Sequence, residues 1–156
     1  MSLLESFIDN VFRDKVPEPK IGSLVYCDIV TGYAEHSGIY VGKRRIVHLN
    51  GDGLIESVSP QEFIGRLSGF NTAMSIYVSC YETKAVGSYI VADRARIAVG
   101  KKRDYSLIFD NCHQFSAGCL AGDFDNSCNF MWMLKDESKK HLNSNSWRIW
   151  DIDLFK

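Results

Sequence analysis

A cysteine, a histidine and a helix start meet in residues 110–122, DNCHQFSAGCLAG. Asn111 is a good N-cap, because its side-chain oxygen can accept an unpaired amide of the first helical turn. Cys112 then takes the first helical position, beside free backbone N–H groups and the positive end of the dipole, where thiolate is favoured over thiol. Such a sulfur can attack a carbonyl carbon. The chemistry also needs an imidazole within hydrogen-bond reach and a third polar group to fix the tautomer of that imidazole. Most unpaired cysteines are small buried apolar residues and nothing more, so the base decides between the two readings.

His36 and His48 stand twelve positions apart in EHSGIYVGKRRIVHLN, which reads as two short strands around a Gly-Lys-Arg turn. Side chains alternate across a strand, so His36 shares a face with Gly38 and Tyr40. If Gly42-Lys43-Arg44 is a three-residue loop, Val41 faces Arg45 and His48 faces Gly38, and the two histidines lie diagonally on one face. A two-residue loop would shift the register and put them on opposite faces. Gly38 beside them leaves room for a thiolate or a substrate. His36 is thus the candidate base and His48 its orienter. His113 points about 100° away from Cys112 around the helix and is expected at the surface. The backbone N–H of Cys112 is the best oxyanion donor, since it points where negative charge develops; Tyr33, Tyr40 and Tyr105 are candidates for a second. This chemistry needs no cofactor and no metal. Cys112, His36 and His48 with a water could also ligate zinc, yet a helix start serves a nucleophile better.

The elements that must position these groups follow from patterning. Ser2 and Glu5 form a capping box ahead of Leu3, Leu4, Phe7, Ile8, Val11 and Phe12, a helix ended by Pro17 and Pro19. Residues 23–30 read as a strand with Val25, Cys27 and Ile29 on one face, which makes Cys27 a core residue. Leu54–Val58 is a further strand, and Ser59-Pro60-Gln61-Glu62 opens a helix with cap, proline and capping-box acid. In residues 75–82 Ile76, Val78 and Cys80 alternate inward. Residues 84–99 read as a helix ended by Gly100, and Cys119, two turns along from Cys112, reads as core. Trp132, Trp147 and Trp150 indicate that the tail packs. The order is helix, several strands, then helices: an α+β chain with an antiparallel sheet and packed helices, with residues 1–156 forming one domain.

Bulk properties agree. At 156 residues, 46% hydrophobic and 24% charged, the chain suits one globular core. A formal net charge of −1 provides no electrostatic footprint for nucleic acid. No run has the length of a transmembrane helix, and the N-terminus carries acids among its apolar residues, unlike a secretory signal. Five cysteines, without paired spacing, indicate free thiols in a reducing compartment; the expected location is cytoplasmic.

HSGIYVG followed by IVH, then RARIAVG and YSLIFDNCHQF with a trailing glycine, resembles the lecithin:retinol acyltransferase family over roughly residues 20–122. The N-terminal helix and the C-terminal tail are then additions. The resemblance implies the circularly permuted papain-like fold of the wider group of NlpC-type cell-wall peptidases. It implies His36 as base, His48 as polar partner and Cys112 as nucleophile, with Asn111 and Phe115 also matching. Ser37 and His113-Gln114 depart from the aromatic residue and the Glu-His of the animal members. The implied reaction is acyl transfer or hydrolysis through an acyl-enzyme, with phospholipid acyl chains as donor. A cysteine peptidase or amidase of the wider group is the first alternative, and a non-catalytic binding module of the same fold the second.

Overall fold

Runs rich in Val, Ile, Leu and Tyr fit a pleated, half-buried surface, and among the described residues they build an eight-stranded sheet. A computed structural model of the chain describes residues 15–30, 34–65, 75–103 and 111–154. The expected N-terminal helix, Tyr33 and Tyr105 lie outside these residues, as do the side chains of Ile29 and Asn111. The strands are β1 (Lys15–Val16), β2 (Leu24–Val30), β3 (Ala34–Gly42), β4 (Arg45–Leu49), β5 (Ile55–Val58), β6 (Tyr77–Tyr81), β7 (Lys84–Ala85) and β8 (Ser146–Trp150). Among the described residues four helices join them: α1 (Pro60–Gly65), α2 (Tyr89–Ala98), α3 (Asn111–Ala121) and α4 (Met131–Leu142). The α+β class holds. The sheet order is β1-β8-β6-β2-β3-β4-β5, with β7 paired to β6. All its pairings are antiparallel except that of β1 with β8. The tail therefore supplies a strand of the sheet rather than a loose extension.

Alternation gives the sheet two unlike faces. Leu24, Tyr26, Ile39, Val47 and Leu49 pack with Phe115, Cys119 and Leu120 of α3 and with buried residues of α2 and α4. Val25, Cys27, Tyr40, Ile46 and Val58 pack on the other side with Phe63 and Ile64 of α1. Ile76, Val78 and Cys80 point into this second core, as their alternation indicates. Phe115, fully buried, contributes about 1.5–3 kcal/mol by leaving water and ties α3 to the sheet.

Two local expectations change. Residues 84–99 are not one helix: Lys84 and Ala85 pair with Tyr81 and Cys80 as β7, and α2 starts only at Tyr89. Gly87 lies at the break, where the backbone passes so close to its neighbour that a Cβ would lie 2.5 Å from the Ile21 carbonyl oxygen. The helix end is as expected, with Gly100 at φ 89°. The second change is at the histidine hairpin. Gly42 pairs with Arg45, so the loop is the two residues Lys43-Arg44, both left-handed at φ 51° and 58°, as a type I′ turn requires. A bulge between Tyr40 and Gly42 supplies the odd residue instead, and Ile39 pairs with Val47. The parity is the expected one, although the loop length is not. Among the described residues no helix is long and apolar enough to cross a membrane.

Candidate active site

His36 on β3 and His48 on β4 lie on the same face, as the predicted parity requires. Extending the Ile39–Val47 register by one pair sets His48 opposite Gly38. The imidazoles meet edge to face, with His36 Nε2 2.6 Å from His48 Nδ1. Both are buried. Helix α1 closes over them. Its capping box is formed as the sequence indicates, with Glu62 N–H donating to Ser59 Oγ and Ser59 N–H to Glu62 Oε1. This fixes Phe63, whose ring centre lies 5.0 Å from that of His36 and 5.6 Å from that of His48. The space above Gly38 is therefore not open to a substrate: a Cβ there would lie 2.8 Å from Ile46 Cγ2 and 3.2 Å from Phe63 Cε2. Gly38 admits Phe63 instead.

The pair continues one step further. His48 Nε2 lies 3.0 Å from Glu56 Oε1, and His48 and Glu56 are direct partners across β4 and β5. Sequence reasoning missed Glu56. Its signal was the Asn50-Gly51-Asp52-Gly53 turn, tight enough to bring β5 back along β4, with Asn50 Oδ1 accepting the N–H groups of Asp52 and Leu54.

Ser37, the next residue of β3, points to the opposite face and meets α3. Its hydroxyl lies 3.3 Å from the Cys112 carbonyl oxygen, 2.8 Å from His113 Nδ1 and 2.9 Å from Ser116 Oγ. His113 is thus 1% exposed, not a surface residue. Its ring turns back to the sheet because the Ser37 hydroxyl, itself bonded to Ser116, offers the polar partner that a buried imidazole needs. His113 Nδ1 also lies 3.8 Å from Cys112 Sγ. The helix begins at Asn111, so Cys112 stands second in the first turn, one place further in than an Asn111 cap would set it. At the other end of α3, Arg94 donates to the carbonyls of Cys119 and Leu120, satisfying acceptors that a helix terminus leaves open.

Electrostatics separates these groups. Burial, then the charges of His48 and His113, hold the His36 pKa well below the usual histidine value. Burial lowers His113 to about 4. Burial pushes the thiols of Cys27 and Cys119 up to about 12 and that of Cys80 up, so these remain protonated and inert. The charge of Cys112 also raises Cys27, which is the direct partner of His36 across β2 and β3. Tyr40 is engaged elsewhere: its hydroxyl donates to Glu18 Oε1 at 2.7 Å and accepts from the Arg44 N–H. No group of three or more His, Cys, Asp or Glu side chains among the described residues forms a metal site.

The family model described as lecithin retinol acyltransferase matches residues 17–125. The chain belongs to this family. No curated protein matches it. The matched span takes in His36, His48, Glu56, Cys112 and His113 and ends before α4 and β8. Membership in the lecithin retinol acyltransferase family points to an acyltransferase-type enzyme.

Proposed function

We propose that the protein moves acyl groups through a thioester on Cys112, with His36 as base and His48 as its orienter. In this reading His36 takes the thiol proton while the sulfur attacks an ester carbonyl. The backbone N–H of Cys112, in the first turn of α3, donates to the oxyanion that forms. Collapse breaks the ester C–O bond, and the leaving alkoxide takes the proton from His36. Water or a second hydroxyl or amine then attacks the thioester by the reverse proton path and regenerates the thiol.

The observation that carries this reading is the buried 2.6 Å contact between His36 and His48, since an imidazole held by a second polar group is what a thiol nucleophile requires. The reading also requires Cys112 Sγ to reach His36 from the first turn of α3, whose Cys112 carbonyl meets Ser37, the next residue of β3. Family membership favours lipid acyl esters as donors, with peptide amides the alternative.

Intact-mass measurement after incubation with activated acyl esters, phospholipid vesicles and peptide amides tests this directly. The expected product is one acyl adduct from an ester donor, absent in Cys112→Ala. An adduct on another residue, or none from any donor, would sink the proposal. Cleavage of amides alone would move the enzyme to the peptidase class.

A further inference from the structure

The His36–His48 contact leaves one question that decides whether His36 can act at all: which ring nitrogen carries its proton. Each neutral imidazole has one N–H, and a hydrogen-bonded pair can share protons in two senses. In one, His36 donates from Nε2 and keeps Nδ1 bare. In the other, His48 donates from Nδ1 and His36 carries its proton on Nδ1, which disables that nitrogen as a base.

Glu56 breaks this symmetry. A carboxylate only accepts, so the 3.0 Å contact with Glu56 Oε1 places the proton of His48 on Nε2. The Nδ1 of neutral His48 is then bare and must accept. His36 Nε2, 2.6 Å away, must donate, and His36 Nδ1 is left as the basic nitrogen. We infer that Glu56 is a positioning residue that sets the tautomers of both histidines and so selects Nδ1 of His36 as the base. The inference rests on the proposed role of His36 only for its catalytic consequence; the tautomer assignment follows from the two contacts taken with both buried rings neutral.

The fold suits this task. Glu56 sits on β5, the last strand of the sheet order, and its side chain is 18% exposed while that of His48 is fully buried. The carboxylate thus keeps contact with water, which lowers the cost of a charge beside a dry imidazole pair. Phe63 packs against both rings and opposes the ring flips that would exchange their nitrogens. When His36 gains a proton on Nδ1, it becomes an imidazolium whose Nε2–H still points to His48, and the carboxylate beyond stabilises the charge without itself being protonated.

Ring nitrogen NMR of the full-length protein tests the assignment, with Glu56→Ala and Glu56→Gln compared. The unaltered protein should show His36 and His48 both protonated on Nε2. Glu56→Ala should populate the Nδ1–H form of His36 and slow acyl-adduct formation by roughly 10–100-fold, the range for outer partners that orient a functional histidine. Glu56→Gln, whose amide oxygen still accepts, should restore most of both. A proton on Nδ1 of His36 in the unaltered protein, or spectra unchanged in Glu56→Ala, would overturn the inference. If only the proposed function failed, His36→Ala and Glu56→Ala would leave adduct formation alike and unaffected while the tautomer shift remained.

Discussion

His36 and Ser37 are neighbours in the chain, yet they found two different polar clusters on opposite faces of β3. On one face the order is His36, His48, Glu56, covered by Phe63. On the other Ser37 meets His113, Ser116 and the Cys112 carbonyl. The first ends in a carboxylate, so its hydrogen bonds have one direction and a defined basic nitrogen. The second is built of hydroxyls, which donate or accept as their neighbours require, so it has no direction. Its imidazole, held neutral by burial with a pKa of about 4, pins the first turn of α3 to the sheet. The same residue type therefore performs two tasks, and what stands behind the ring decides which.

The largest expected effect separates the two imidazoles. His36→Ala should slow acyl-adduct formation by about 10²–10⁴-fold, the range for a positioned acid–base group. His48→Gln should cost less, since glutamine can still accept a hydrogen bond and hold the ring. His113→Ala should instead lower stability by about 1–3 kcal/mol, because it strips a partner from the buried Ser37 hydroxyl, with a loss of adduct rate well below that of His36→Ala. Rates by intact mass and midpoints by urea titration read these separately. Equal rate losses in His36→Ala and His113→Ala would erase the contrast, because His113 already lies 3.8 Å from the sulfur.

Much of the histidine face was legible in the sequence, since period-two alternation and a twelve-residue spacing encode a shared face whenever the connection contributes an odd residue. The bulge at Val41 supplied that residue, and a bulge carries no residue signature as plain as a turn does. Glu56 was hidden because its partner is set by register, which becomes readable only once the Asn50–Gly53 turn is taken as tight. The burial of His113 escapes the sequence for a different reason. Helical geometry fixes the angle between Cys112 and His113, but not which of those directions the sheet occupies. The hydroxyl that draws His113 inward comes from a strand more than seventy residues earlier.

Acid should distinguish the faces next. His113 titrates near 6.5 when unfolded and near 4 when folded, so its folded pKa is the lower of the two. Between these values the unfolded chain binds the proton and the folded one does not. Stability is therefore full above about pH 6.5 and is lost as pH falls toward about 4, by about 3 kcal/mol for a shift of this size. His36, lowered in the same sense, adds to the same slope. Among the described residues His113 meets the Ser37 hydroxyl and the Cys112 sulfur, and the His36 ring is its charged neighbour when protonated. His113→Asn should flatten part of the slope in urea midpoints measured from pH 7 to pH 4. An unchanged slope would mean that His113 is not held neutral by burial.

The smallest effect comes from one methyl group on the histidine face. Gly38→Ala would place a Cβ 2.8 Å from Ile46 Cγ2, 2.9 Å from the Val47 carbonyl oxygen and 3.2 Å from Phe63 Cε2. Ile46 can rotate and Phe63 can tilt, but the Val47 carbonyl belongs to the strand paired with β3 and cannot retreat without disturbing that pairing. Overpacking of this kind costs about 1–3 kcal/mol, visible as a lower urea midpoint. The tilt of Phe63 should also loosen both rings, so the adduct rate should fall together with stability. Ser37→Ala, on the other face, should lower stability through its lost hydrogen bonds while the ring nitrogen spectra of His36 and His48 hold. If Gly38→Ala left both the midpoint and those spectra unchanged, Phe63 would not be the clamp that keeps the imidazole pair in register.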